Sequence, residues 1–269
     1  MGSPVRVIVT GAAGQMGSRL VSLVKDSQNL ELAGATEAKS HPSLGKDVGE
    51  VVGCGPLGIV LSDDLGTLMQ KGDVVVDFTT PSATLGHLRQ ALDQKRAMVI
   101  GTTGFSPDEL STLREQAQSI PCVVAPNMSV GINVLLQIIG KVAQALGPEF
   151  DLEVIEAHHH KKKDAPSGTA LKLAETLAHA RGWDLKETGV FARQGMIGER
   201  SSREIGIQTI RAGDIVGDHT IIFGGLGERV EITHRAHNRD PFARGALRAA
   251  EWVIHQPPGV YTMAQVLGL

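Results

Sequence analysis

The chain is poor in cysteine, in aromatic side chains, in long apolar runs and in excess charge. Only Cys54 and Cys122 occur in its 269 residues. Two cysteines at unrelated positions exclude a disulfide framework and fit a reducing compartment, so a cytoplasmic location is expected. Aromatics make up 3% of the chain, which leaves core building to aliphatic residues, as in many α/β enzymes. No apolar run reaches membrane-spanning length, so no membrane partner is expected. The N-terminus passes straight into a strand pattern, without the look of a secretory leader. Lys and Arg total 26 against 29 Asp and Glu, a formal charge of −3. That balance argues against bulk nucleic-acid binding. The length suits one large or two modest domains with a real core.

Against this neutral background one stretch stands out. Glu156 to Ala170 holds three consecutive histidines, His158 to His160, then Lys161 to Lys163, then Asp164-Ala165-Pro166-Ser167-Gly168-Thr169. Leu152 to Ile155 before it reads as a strand. Leu171, Ala174, Leu177 and Ala178 after it have helical spacing. Ser167 or Thr169 can cap that helix and Gly182 can end it. The cluster therefore sits on a strand-to-helix loop, with the amides of Gly168 and Thr169 at the helix start. A helix N-terminus beside cations suits a carboxylate or phosphate. A solvated basic face is the commoner meaning of such a run, but here it lies mid-chain between two patterned elements. No metal site is expected, because adjacent strand residues point to opposite faces and His158 and His159 cannot readily share one ion.

The N-terminal half alternates strands and helices. Val5 to Thr10 is a buried-strand pattern, followed by Gly11-Ala12-Ala13-Gly14-Gln15-Met16-Gly17 and a helix pattern through Leu20, Val21, Leu23 and Val24. A second strand, Leu30 to Thr36, ends at Glu37, about 20 residues beyond the turn, where a ribose-binding acid belongs. Strand, glycine turn, helix, strand and acid together form a nicotinamide-dinucleotide fingerprint. Ser40 to Pro56 reads as a loop. Later strands end in Thr79-Thr80, in Gly101-Thr102-Thr103-Gly104 and in Ala125-Pro126-Asn127-Met128. Ligands bind such sheets at the carboxyl ends of strands, so these turns are the expected cofactor floor. Ser106, Pro107 and Glu109 predict a capping box.

After Met128 the rhythm changes. Val130 to Leu146 is one apolar helix pattern. Strand patterns over 206–211, 219–224 and 229–235 join the strand before the basic cluster. The expected fold is α/β, a Rossmann-like doubly wound parallel sheet plus a smaller α+β domain with a mostly antiparallel sheet. The expected boundaries are residues 1–128 for a dinucleotide-binding domain, 129–238 for a substrate-binding and oligomerisation domain, and 239–269 for a segment returning to the first.

These motifs resemble the 4-hydroxy-tetrahydrodipicolinate (dihydrodipicolinate) reductase family. The resemblance rests on Gly11 to Gly17, Gly101 to Gly104, Ala125 to Asn133, the K-x-D-A-P-S-G-T-A string within Glu156 to Ala170, and Phe242 to Leu247. It implies reduction of a small ring dicarboxylate with loss of water, in the diaminopimelate route to lysine. It implies His158 as catalytic acid/base and Lys162 as proton donor, with His159, Gly168 and Thr169 binding substrate. Gly11, Ala12, Ala13, Gly14, Gln15, Met16, Glu37, Gly101, Thr102, Thr103, Ala125, Pro126, Asn127 and Met128 would bind the cofactor. The second-domain sheet would build a homotetramer. His160 and Lys161 stand where the family often has Arg or Asn, then His. Arg often follows the ribose acid in the family. Here Ala38 follows, then Lys39, so the expected cofactor is NADH or NADPH. Two other readings fit the bare pattern: another two-domain dehydrogenase acting on an amino-acid intermediate, such as an aspartate dehydrogenase, and a dinucleotide-binding sensor without chemistry.

Overall fold

The computed structural model describes residues 3–269. In chain order, β1 (Val5–Thr10), α1 (Gln15–Lys25), β2 (Leu30–Thr36), α2 (Val48–Val52), β3 (Leu61–Ser62) and α3 (Leu65–Met69) come first. Then come β4 (Val74–Asp77), α4 (Pro81–Asp93), β5 (Ala97–Ile100), α5 (Pro107–Ala117), β6 (Pro121–Val124) and α6 (Val130–Leu146). β7 (Asp151–His158), α7 (Gly168–Arg181), α8 (Leu185–Thr188), β8 (Gly189–Val190), β9 (Ile205–Arg211), β10 (Gly217–Gly224) and β11 (Arg229–Ala236) follow. The chain closes with α9 (Asp240–Val253), β12 (Gly259–Tyr261) and α10 (Met263–Leu267). It divides into two compact units: residues up to Val130 together with Asp240–Leu269, and Gly131–Arg239.

Among the described residues, the first unit holds a seven-stranded sheet in the order β12-β6-β5-β4-β1-β2-β3. All its pairings are parallel. Side chains alternate faces along a strand, and the core divides accordingly. Val7, Val9, Val76 and Val99 pack on one face with Leu20 and Val21 of α1, Ala246 and Ala250 of α9, and Val266 of α10. Ile8, Val75, Met98 and Ile100 pack on the other with Met69 of α3, Leu88 of α4 and Leu113 of α5. With both faces covered, the strands have no polar face, which is why they read as unbroken apolar runs. The capping box at α5 is present in both directions, Glu109 amide to Ser106 hydroxyl and Ser106 amide to Glu109 carboxylate.

The stretch expected as a loop, Ser40 to Pro56, contains α2. Its ends carry local caps, Asp47 at the start and left-handed Gly53 at the stop, and Asp47 accepts from the amides of Gly49 and Glu50 in the helix and also from Leu57 and Gly58 beyond it. One carboxylate folds both segments around itself, so a five-residue helix forms that no periodicity announces.

Among the described residues, the second unit holds a five-stranded sheet in the order β11-β10-β7-β9-β8. The β10–β11 and β10–β7 pairings are antiparallel, while β7–β9 and β8–β9 are parallel. The sheet is thus evenly mixed, where a mostly antiparallel one was expected. The cause is α7 with α8, which carries the chain across one sheet face between β7 and β8, so that β9 lies parallel beside β7 and β8 parallel at the edge beyond β9. Leu152, Val154, Ile207, Ile221 and Phe223 face a core shared with Leu135 and Ile139 of α6 and Leu173 and Leu177 of α7.

Candidate functional site

In the first unit the turn after β1 is built around Gly11, whose φ of +60° lies in the left-handed region that L side chains avoid. The Gly14 amide closes on the Gly11 carbonyl at 3.0 Å, and Gly14 then caps α1 from extended backbone. Ala12 is buried and its amide bonds to the Thr36 carbonyl at 3.0 Å. The amide of Ala13 donates to Glu37 Oε1 at 2.9 Å. The acid at the end of β2 is therefore held beside the glycine turn, with Gln15 and Met16 opening the helix. First-turn amides of a helix lack intrahelical partners and favour an anion. An 11-residue helix starting there, a backbone bare of side chains at Gly11 and Gly14, and the adjacent carboxylate of Glu37 fit a dinucleotide.

A cleft of about 260 Å³ opens at the carboxyl ends of β4, β5 and β6. Met16, Gly101, Thr102, Thr103, Pro126, Asn127 and Met128, all among the residues expected to meet the cofactor, line it together with Phe78, Thr79 and Phe242. Ala125 is buried, and Gly11 to Gln15 and Glu37 lie outside this lining. Beneath the cleft, buried Asp77 accepts from the Thr79 amide and hydroxyl at 2.9 and 2.7 Å. His87 Nδ1 lies 2.6 Å from its other oxygen. Burial pushes the Asp77 carboxyl up, but the hydrogen bond and charge of His87 with the Thr79 contacts outweigh it and hold it below its ordinary value.

In the second unit, Leu152, Val154, Glu156 and His158 occupy one face of β7 at every second residue. The first two complete the apolar core, and the last two extend the same face beyond it as buried polar groups. His158 Nδ1 lies 2.6 Å from Glu156 Oε2. The strand ends at His158, and His160 pins the following loop through Nδ1 to the Gly213 carbonyl at 2.8 Å. Lys162 Nζ reaches both oxygens of Asp164 at 2.8 Å. Lys161 and Lys163 are exposed, while Lys162 is half-buried. Ser167, not Thr169, is the cap of α7: its hydroxyl accepts from the Ala170 amide at 3.1 Å. Gly168 and Thr169 are the first two residues of that helix.

His159 Nδ1 is buried without a hydrogen-bond partner among the described residues. Burial lowers the His159 pKa first, and the positive charges of Arg239, His158 and Lys162 lower it further. Lys162 and His158 have carboxylate partners in Asp164 and Glu156, so the buried, unpartnered Nδ1 of His159 is the polar atom of this cluster left open to a ligand. No cluster of three or more metal-ligating side chains exists among the described residues.

The sequence reading missed four residues here. Arg239 joins the cluster from 80 positions away. Arg211 forms a two-pronged ion pair with Glu156 at 2.8 Å on both oxygens. His219 is buried, its Nε2 3.1 Å from Ser167 Oγ and its ring edge-on to His158 at 5.2 Å. Glu156 itself sat in the quoted stretch without a role. Its signal was an acid in phase with Leu152 and Val154 on a buried face.

Residues 5–128 match the family model "Dihydrodipicolinate reductase, N-terminus", and residues 131–267 match "Dihydrodipicolinate reductase, C-terminus". A 4-hydroxy-tetrahydrodipicolinate reductase of Syntrophus aciditrophicus is 54% identical over 98% of each chain. One of Syntrophobacter fumaroxidans is 53% identical, covering 98% of this chain and 99% of its own. The solved dipicolinate-bound dihydrodipicolinate reductase of Paenisporosarcina sp. TG-14 superposes with a TM-score of 0.73 at 28% identity, over 97% of this chain and 98% of that one. Two family models together span nearly all the chain, and relatives of this identity run along its length. The chain belongs to the 4-hydroxy-tetrahydrodipicolinate (dihydrodipicolinate) reductase family, oxidoreductases of the diaminopimelate route to lysine.

Proposed function

We propose that His158 and Lys162 carry the proton chemistry of the reductase, while His159 and the amides of Gly168 and Thr169 hold a substrate carboxylate. The observation that carries this is that His158, His159 and Lys162 lie at the end of β7 and on the loop that leads into the capped start of α7, with the charge of Arg239 acting on His159. The net reaction adds one hydride and one proton to the ring and releases the 4-hydroxyl as water. The reduced nicotinamide, when bound, supplies the hydride. The chain must then neutralise negative charge arising on the ring, and a positioned acid does so in the transition state. Lys162, tethered by Asp164, and His158, buried at the strand end, are the two acids in reach of such a ring.

The cofactor residues would be Gly11 to Met16 at the pyrophosphate, Glu37 at the adenosine ribose, and Gly101 to Thr103 with Ala125 to Met128 at the far end. We propose acceptance of both NADH and NADPH. Glu37 supports a free ribose hydroxyl, and exposed Lys39, whose charge already acts on Asp64, is in sequence reach of a 2′-phosphate. We further propose a homotetramer, assembled through the second sheet's face opposite its helices, where Ile210 stands 47% exposed, and a cytoplasmic location, where Cys54 stays reduced.

The test is NAD(P)H oxidation with 4-hydroxy-tetrahydrodipicolinate, run beside oxaloacetate plus ammonia. Turnover of the first alone is expected, and turnover of only the second would sink the assignment. His158→Gln and Lys162→Ala should lose roughly 10²–10⁴-fold in kcat. His159→Gln should mainly raise KM. Lys161→Ala or Lys163→Ala as damaging as Lys162→Ala would show a diffuse positive field instead.

A further inference from the structure

Glu156 is fully buried and ionised, and every contact recorded for its carboxylate is with a donor. Oε1 accepts from the Ser167 amide at 3.0 Å, from Thr209 Oγ1 at 3.2 Å and from Arg211 Nη2 at 2.8 Å. Oε2 accepts from Arg211 Nη1 at 2.8 Å and faces His158 Nδ1 at 2.6 Å. Burial alone would raise the Glu156 pKa, but the hydrogen bonds from His158, Arg211 and the Ser167 amide outweigh it and hold the group well below its ordinary range. An ionised carboxylate can only accept. The atom of His158 that carries hydrogen toward it is therefore Nδ1, whatever the charge of the ring.

We infer that Glu156 is a positioning residue of the reductase, fixing His158 in the Nδ1–H tautomer so that Nε2 alone exchanges a proton with substrate. The inference rests on the reading of His158 as the acid/base. In the donating step the imidazolium gives its Nε2 proton to the substrate and is left neutral, with Nδ1–H still bound to Glu156; it takes a proton from solvent at Nε2 before the next turnover. Three further features serve this arrangement. Gly217 on β10 leaves Nε2 room, since a Cβ there would stand 3.0 Å from it. His219 closes against the ring edge-on at 5.2 Å. Arg211 also donates to the Asp164 carbonyl at 2.6 Å, which ties the carboxylate to the loop that holds Lys162. The carboxylate thus orients both proposed proton-transfer groups without touching substrate. Carboxylate–histidine pairs elsewhere set tautomer in the same way, and replacing the acid by its amide can cost on the order of 10⁴-fold in kcat.

The experiment has two independent readouts. The first is the ¹⁵N–¹H spectrum of the His158 ring, assigned by its loss in His158→Gln. The wild type should show the neutral ring protonated at Nδ1, and Glu156→Gln should shift it toward Nε2–H. The second is steady-state kinetics. Glu156→Gln should lower kcat by roughly 10²–10⁴-fold with substrate KM within a few-fold, and Glu156→Asp, which keeps the charge, should recover part of the rate. A wild-type neutral ring protonated at Nε2 and not at Nδ1 overturns the inference without any variant, so a failure of Glu156→Gln to fold leaves it testable. A tautomer unmoved in Glu156→Gln overturns it as well, even with His158 still the acid/base. A shifted tautomer with unchanged kcat overturns it through its premise, because His158 would then not be the group that transfers the proton.

Discussion

His219 should make the protein unstable in mild acid. The residue is 4% exposed, and among the described residues its ring's one hydrogen bond is to Ser167 Oγ. Burial, reinforced by the neighbouring His158, lowers its pKa from 6.5 to about 3. A folded value below the unfolded one gives stability that is complete above the unfolded pKa and is lost as pH falls toward the folded pKa. At pH 5 an unfolded imidazole of ordinary pKa is almost wholly protonated while the folded one is neutral. Linkage between pH 7 and pH 5 then gives a loss of about 2 kcal/mol from this one ring. His159 and His234 are shifted in the same direction and add to the trend. Urea unfolding at pH 7 and pH 5 of wild type and His219→Gln isolates the single contribution, because the other histidines are common to both. The variant keeps an amide able to reach Ser167 and cannot titrate. It should lose about 2 kcal/mol less than wild type between the two pH values. An equal loss in both proteins would falsify the argument that burial keeps this ring neutral.

Gly14→Val should raise the cofactor Kd by ~10-fold, about 1.4 kcal/mol, since a Cβ there already stands 3.1 Å from the Gly11 carbonyl and the added methyls obstruct the pyrophosphate. Calorimetry showing undiminished binding in a folded variant counts against the fingerprint. Lys39→Ala should weaken NADPH and spare NADH, as only the former has a 2′-phosphate; an equal fall in both affinities removes Lys39 from the site. Gly245→Ala should destabilise the first unit by ~1–3 kcal/mol or more, because its Cβ would stand 1.7 Å from the Met128 carbonyl. A wild-type urea midpoint in that variant would show that α9 can retreat freely.

What could be read from the sequence was whatever a short window decides. The strand, glycine turn and helix over Val5 to Lys25, the capping box at Ser106, and the 17-residue α6 all follow from local spacing and cap chemistry. The doubly wound character followed from strands apolar on both faces. Features that depend on distant partners were not legible. Asp47 organises α2 through amides ten and eleven residues away. The parallel entry of β9 beside β7 depends on where α7 and α8 deliver the chain. In the site, the basic cluster announced itself, but Glu156 meets Arg211 across 55 positions, and a single chain offers no spacing rule for such a pair. His219 gave no sign either, because its role comes from packing against His158 and Ser167, not from its own neighbours on β10.

The return of α9, β12 and α10 to the first sheet sets an order on how the chain can be completed during synthesis. Ala243, Ala246, Ala249, Ala250 and Val253 of α9 cover the same core face as Val7, Val9 and Val76, and β12 supplies the edge strand beside β6. A ribosome that has released residues 1–239 has delivered every strand of the second unit, but it has left one face of the first sheet only partly covered, by α1 and α2 without α9 and α10. The segment made first is therefore the last to close. Its apolar face waits for the final 30 residues, and during that interval a nascent chain has most need of a chaperone.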